Sequence, residues 1–249
     1  MPPLIIAHRG DSAHRPENTL ASFASALEVG AHLVELDVQA TRDGVPVVLH
    51  DPTLDRTTTG KGPVREKTLA EVRAVSAGYP DRFGAAYPGE RVPTLAETLA
   101  FLRGRTRVMV EIKTESVGDD AEGGIEARTI AEVRKAGMVG EVAFLSFDGR
   151  ALARCRDQAP EIPRGYLFYR AAVDEILRGA REVACDIVMP EKGMLSDELR
   201  ARVSEVGLKL ATWVVDDPEE LRALGRFDLY GVGSNRPGVL LEKLAEPLA

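Results

Sequence analysis

The chain has 249 residues, with Lys+Arg 32 against Asp+Glu 39, a formal net charge of −7 and 44% hydrophobic content. Enough apolar residues are present to bury a sizeable core, which excludes a wholly disordered chain, and net acidity argues against a nucleic-acid binder with its basic face. No run nears the roughly 18 apolar residues of a membrane span, and two cysteines, Cys155 and Cys185, do not make a disulfide framework.

The first apolar run, 4–8, begins at once, with no basic leader and no long apolar segment ahead of it. A soluble cytoplasmic protein is therefore expected. Further β-branched runs follow at 33–38, 107–112, 141–146, 165–168, 186–189, 209–214 and 229–233. Amphipathic helical patterns lie between them at 19–29, 125–136, 151–158, 171–179 and 197–206. Gly30, Gly137 and Gly207 each sit just past a helical pattern and just before an apolar run, where glycine adopts the left-handed conformation cheaply. Thr68-x-x-Glu71, Thr94-x-x-Glu97 and Asp217-Pro218-Glu219-Glu220 place capping oxygens ahead of further helices. Eight strands alternating with helices predict a closed (β/α)8 TIM barrel, with 1–249 as one catalytic domain.

One apolar run, 45–50, is left over and follows the turn-rich Thr41-Arg42-Asp43-Gly44. It reads as the return arm of a hairpin. With the turn centred between Arg42 and Asp43, paired residue numbers sum to 85 and His50 lies opposite Glu35. From Asp51 to about Arg91 the barrel rhythm breaks, and Tyr79, Phe83 and Tyr87 stand beside Pro80 and Pro88. Such an insertion is either a surface excursion with its own small core or a substrate-contacting element.

The chemistry-bearing residues gather at strand ends. His8-Arg9-Gly10 closes the first strand, Glu35-Leu36-Asp37 the second and Glu111-Ile112-Lys113 the third. Residues i and i+2 of a strand share a face, so Glu35 pairs in direction with Asp37, and Glu111 with Lys113. Barrel active sites occupy that end of the strands. Three carboxylates brought together repel one another and call for a cation; an all-oxygen set selects Mg²⁺, Ca²⁺ or Mn²⁺. Arg9 and Lys113 beside such an ion suit a phosphate. His8 and His50 then suit proton exchange around a phosphodiester.

The ordered segments His8-Arg9-Gly10, Pro16-Glu17-Asn18-Thr19, Glu35-Leu36-Asp37-Val38, Thr41-Arg42-Asp43-Gly44 and His50-Asp51 resemble the glycerophosphodiester phosphodiesterase family. The likeness continues through Glu111-Ile112-Lys113, Ser146-Phe147, Thr212-Trp213 and Gly233-Ser234-Asn235-Arg236-Pro237. That family's fold is a barrel akin to the phosphatidylinositol phospholipases C, with an insertion after the second strand, where 51–91 lies. The resemblance implies that Glu35, Asp37 and Glu111 bind a divalent metal, Mg²⁺ or Ca²⁺. It implies His8 and His50 as the acid–base pair and Arg9 and Lys113 as phosphate holders. The implied reaction releases sn-glycerol 3-phosphate and an alcohol from a small glycerophosphodiester, through attack by the glycerol hydroxyl or by water.

Other residues read less sharply. Glu17 stands either near the metal or away from it, Asn18 either in the site or as a helix N-cap, and Trp213 against glycerol or in the core. Ser234 and Asn235 follow the last strand, where barrels often bind phosphate. His14 and His32 read as structural or exposed, the cysteines as packing residues, and Asp216-Asp217 as a helix cap. Two alternative functions stand beside this: a lysophospholipase D-type enzyme, which exposed apolar or aromatic residues in the insertion would favour, and a non-catalytic phosphate-binding barrel, which loss of a metal ligand or histidine would suggest, though none is missing.

Overall fold

Short apolar runs become strands here because each is buried on both faces, the signature of parallel barrel strands. The computed structural model describes residues 2–245. Its strands are β1 Leu4–His8, β2 Leu33–Ala40, β3 Pro46–Val48, β4 Arg107–Ile112, β5 Val142–Ser146, β6 Arg164–Phe168, β7 Ile187–Pro190, β8 Lys209–Thr212 and β9 Gly231–Ser234. Neighbours run β1-β9-β8-β7-β6-β5-β4-β2, and pairing of β1 with β2 closes the ring. All ring pairs are parallel. The fold is the expected (β/α)8 barrel.

Helices Leu20–Glu28, Leu95–Leu102, Ile125–Lys135, Gly149–Gln158, Val173–Glu182, Asp197–Glu205, Pro218–Leu224 and Pro237–Ala245 complete the units. Gly30, Gly137 and Gly207 take φ of 80°, 69° and 72°, as their placement past helix ends requires. Thr68 and Thr94 make full capping boxes, and Asp217 caps Pro218–Leu224. Two helices depart from expectation. Val173–Glu182 runs through Gly179 instead of ending there, and a Cβ at 179 would meet Tyr166 Cε1 at 2.9 Å, so that glycine serves close packing and not termination. Pro237–Ala245, which opens on a proline, was not expected from the pattern.

The hairpin forms, with a different register. β3 pairs antiparallel with β2 through Val38 with Val48, Gln39 with Val47 and Ala40 with Pro46, so the numbers sum to 86, not 85. The turn is a three-residue loop centred on Asp43. Thr41 N–H donates to Val45 O at 3.1 Å, and Gly44 takes a left-handed φ of 76°. By continuation His50 faces Leu36 and not Glu35. It reaches the site from beyond the strand end.

Alternation along the strands sets up the site. The barrel interior is filled by Ile6, Leu33, Met109, Leu145, Leu167, Ile187, Met189 and Ala211. Two residues beyond Ile6, Leu33, Met109 and Ala211, the same inward face carries His8, Glu35, Glu111 and Trp213. The outward faces pack under the helices in two larger apolar clusters. In the insertion, Leu54, Val64, Val72, Ala77 and Val92 pack against Val47 and Leu49 of the hairpin. Its aromatic rings meet one another edge-on, Tyr79 to Phe83 at 6.2 Å and Phe83 to Tyr87 at 5.6 Å. No helix among the described residues is long and apolar enough to cross a membrane.

Candidate active site

The carboxylates come together through strand register. Asp37 and Glu111 are direct neighbours across β2 and β4, and His8 neighbours Glu35 across β1 and β2. One ligand oxygen from each of Glu35, Asp37 and Glu111 lies within 4.8 Å of the others, and all three residues are buried. Two cations offset part of that charge. Lys113 Nζ donates to Glu111 Oε1 at 2.7 Å and lies 3.5 Å from Asp37 Oδ1. Arg9 N–H donates to Glu35 Oε2 at 3.0 Å, and its guanidinium Nε sits 3.2 Å from Asp37 Oδ2. Arg9 achieves this double reach because the chain reverses there, with φ of 57° at Arg9 and 80° at Gly10. Only glycine fits at position 10: a Cβ would lie 2.2 Å from Ser22 Oγ.

Two cations are too few for three buried acids. Burial and the charges of Asp37 and Glu111 push the Glu35 carboxyl well above the usual range. Burial and Asp37 push Glu111 up to about 7. Asp37 is buried too, but Arg9 and Lys113 hold it far below the ordinary carboxylate range. Asp37 Oδ1 accepts no hydrogen bond despite its burial. A divalent cation fits this site: the donors are all oxygen, its charge would let Glu35 and Glu111 ionise, and Asp37 Oδ1 has no hydrogen bond to give up.

Both histidines are anchored through Nδ1, by different partners. His50 Nδ1 lies 2.7 Å from Asp51 Oδ1. Asp51 is gripped by Arg56, Arg56 by Glu17, and Glu17 accepts from Arg9 Nη1 at 2.9 Å. One chain of ion pairs thus links His50 to Arg9. His8 Nδ1 lies 2.7 Å from Asn235 Oδ1. Asn235 is oriented by Asp216, which accepts from its backbone N–H at 2.7 Å and from its side-chain Nδ2 at 2.9 Å. With the amide nitrogen committed, oxygen faces His8, so the His8 proton sits on Nδ1 and Nε2 is bare. Burial and the Arg9 charge lower His8 to about 4. Burial lowers His50 as well, against the pull of Asp37.

Above the cluster lies a cavity of about 200 Å³, lined by His8, Arg9, His50, Lys113, Phe147 and Trp213 among others. Trp213 is half-buried; its Nε1 donates to Met189 O at 3.0 Å and its ring meets Phe147 edge-on at 5.6 Å. Acidic cluster, paired cations and anchored histidines thus share one barrel mouth.

Residues 8–239 match the model of the Glycerophosphoryl diester phosphodiesterase family. The chain belongs to that family. It is 36% identical over 241 residues to a glycerophosphodiester phosphodiesterase of Caldanaerobacter subterraneus subsp. tengcongensis, spanning 97% of each chain. A Bacillus subtilis glycerophosphodiester phosphodiesterase is 30% identical, over 94% of this chain and 84% of the relative. An Oleispira antarctica phosphodiesterase, solved in complex with the product sn-glycerol-3-phosphate, superposes with a TM-score of 0.88 at 28% identity, over 98% of this chain and 97% of that one.

As a member of the glycerophosphoryl diester phosphodiesterase family, the chain carries every residue singled out at the strand ends in one place. The guarded residues resolve differently. Glu17 is not part of the carboxylate cluster; it ties Arg9 to Arg56. Asn18 is not the N-cap, which is Thr19; its Nδ2 donates to Asp37 Oδ2 at 2.8 Å. Ser234 and Asn235 spend their donors within the protein, on Asp216. Asp217 caps a helix as expected, while Asp216 does not. His14 pairs with Asp11, and His32 Nδ1 accepts from Ile5 N–H. Both cysteines are buried, their thiols pushed up to about 12 by burial, as packing residues should be. The supports Arg56, Asn235 and Asp216 were missed as such, because their partners lie on other loops.

Proposed function

We propose that the protein hydrolyses glycerophosphodiesters to sn-glycerol 3-phosphate and an alcohol, with a divalent ion, Mg²⁺ or Ca²⁺, on Glu35, Asp37 and Glu111. The observation that carries this reading is the buried cluster of three carboxylates against only two cations, set between two histidines whose Nε2 atoms are unused. Held by Glu35, Asp37 and Glu111, such an ion would supply Lewis-acid charge to the phosphodiester and would favour deprotonation of the attacking group. Arg9 and Lys113 hold the phosphate and keep their charge through Asp37, Glu17 and Glu111. His8, kept neutral with Nε2 bare, takes the proton of the attacking group, either water directly or the glycerol hydroxyl, after which water opens the cyclic phosphate to glycerol 3-phosphate. His50 gives its proton to the departing alcohol oxygen, and Asp51 steadies the imidazolium form before transfer. Trp213 and Phe147 wall the cavity against water and pack the glycerol carbons.

A lipid-directed reading would draw support from apolar surface in the insertion. There the aromatic rings are turned onto one another, and the large exposed hydrophobics among the described residues, Val29, Phe147, Tyr169 and Val206, lie elsewhere. The test is release of glycerol 3-phosphate from glycerophosphocholine and glycerophosphoethanolamine with Mg²⁺, with Ca²⁺ and with excess chelator. Release that chelator stops supports the reading; no release from folded protein under either metal overturns it.

A further inference from the structure

A second cavity, of about 580 Å³, adjoins the first and opens more widely to solvent. His8 and Arg9 line both. A phosphodiester has two ester arms, so a phosphate held at Arg9 with His8 beside it extends one arm into each cavity. The small one suits a three-carbon glycerol. The wide one takes the other arm, the alcohol that leaves.

The charge of the wide cavity is unbalanced. Its acids are Glu17 and Asp216, and both are consumed by internal hydrogen bonds: Glu17 by Arg9 and Arg56, Asp216 by Ser234 and Asn235. Its cations Arg82 and Arg236 have no carboxylate within ion-pair distance among the described residues. Arg82 is nonetheless held in place. Nη2 donates to Ala13 O at 3.0 Å, and the guanidinium lies 5.2 Å over the Phe83 ring. Tyr79, the one Phe, Tyr or Trp side chain in the lining, already carries the Arg56 guanidinium at 5.6 Å.

Resting on the proposed reaction, we infer that this cavity is the leaving-group subsite and that Arg82 and Arg236 select an alcohol bearing an anionic group. The insertion supplies one of those arginines and the loop after β9 the other. Guanidinium forks recognise carboxylate or phosphate oxygens through paired hydrogen bonds.

The test compares glycerophosphoserine with glycerophosphoethanolamine, whose leaving alcohols carry the same ammonium and differ by one carboxylate. kcat/KM is measured at saturating Mg²⁺ for the wild type, Arg82→Gln, Arg236→Gln, the double variant and Arg82→Lys. The wild type is expected to favour the serine substrate about tenfold, the worth of a partly exposed charge-assisted contact. Each glutamine variant raises KM for that substrate, the double variant brings the ratio near one, and Arg82→Lys retains part of it. A wild-type ratio at or below one overturns the subsite. So does a ratio that survives the double variant, or an equal loss on both substrates. If neither substrate releases glycerol 3-phosphate, the proposed reaction falls and the subsite with it.

Discussion

Glu111→Gln isolates the electrostatic strain of the carboxylate cluster. Glu111 binds its proton at about 7 in the fold against 4.5 for an ordinary glutamate, because of burial and the Asp37 charge. Its folded pKa lies above its unfolded one, so the folded chain holds the extra proton and stability falls as pH rises through that window. Near pH 8 the penalty is about 3 kcal/mol, shrinking to about 1 kcal/mol at pH 5, with a tenfold change in proton affinity worth ~1.4 kcal/mol. Glutamine keeps the shape and can still accept from Lys113 Nζ. In chelator at pH 8 the variant is therefore expected to melt roughly 6–12 °C above wild type, and at pH 5 only a few degrees above. With Mg²⁺ at about 100 times its Kd, wild type gains about 2.7 kcal/mol and the variant far less, since a ligand oxygen charge is gone. Scanning calorimetry at both pH values, with and without Mg²⁺, reads both effects. A variant less stable than wild type at pH 8 in chelator would refute the strain argument. A variant with the full Mg²⁺ gain would remove Glu111 from the ion site.

Other outcomes follow from the same geometry. His8→Ala and His50→Ala are each expected to lower kcat about 10² to 10⁴-fold in steady-state assays, and a loss under tenfold at both would reduce them to positioning groups. Asp216→Ala frees the Asn235 amide and is expected to cost at least about tenfold in kcat with little change in KM, one hydrogen bond's worth of orientation. The Mg²⁺-dependent rise in Tm should survive in that variant, and its loss would mean Asp216 supports the ion site instead. Gly10→Ala puts a Cβ into Ser22 at a left-handed φ and is expected to cost about 2 kcal/mol or more in urea unfolding.

What was legible in the sequence was whatever obeys a period. Glu35 and Asp37, or Glu111 and Lys113, are two apart on strands, so their common direction is a property of extended backbone. The helix-ending glycines were legible for a similar reason, since a left-handed φ leaves few residue choices. The hairpin shows the limit: one residue of loop length separates a sum of 85 from the observed 86, and Thr41-Arg42-Asp43-Gly44 accommodates both. Asn18 was ambiguous because the same asparagine that could cap a helix can also hold a carboxylate; Thr19 one residue later took the cap. The supports of the histidines were not legible. His8 and Asn235 are 227 residues apart, and Arg56 and Glu17 are 39 apart, on loops whose meeting depends on barrel closure and not on any local pattern.

The seam between β1 and β9 has a consequence for how the site comes apart. His8 ends β1, while Asn235, whose Oδ1 lies 2.7 Å from His8 Nδ1, follows β9 on the other side of that seam. Opening that seam separates His8 from Asn235 while Glu35, Asp37 and Glu111 stay on the paired strands β2 and β4. A barrel loosened at this seam therefore gives up the anchor of His8 before it gives up its carboxylate cluster.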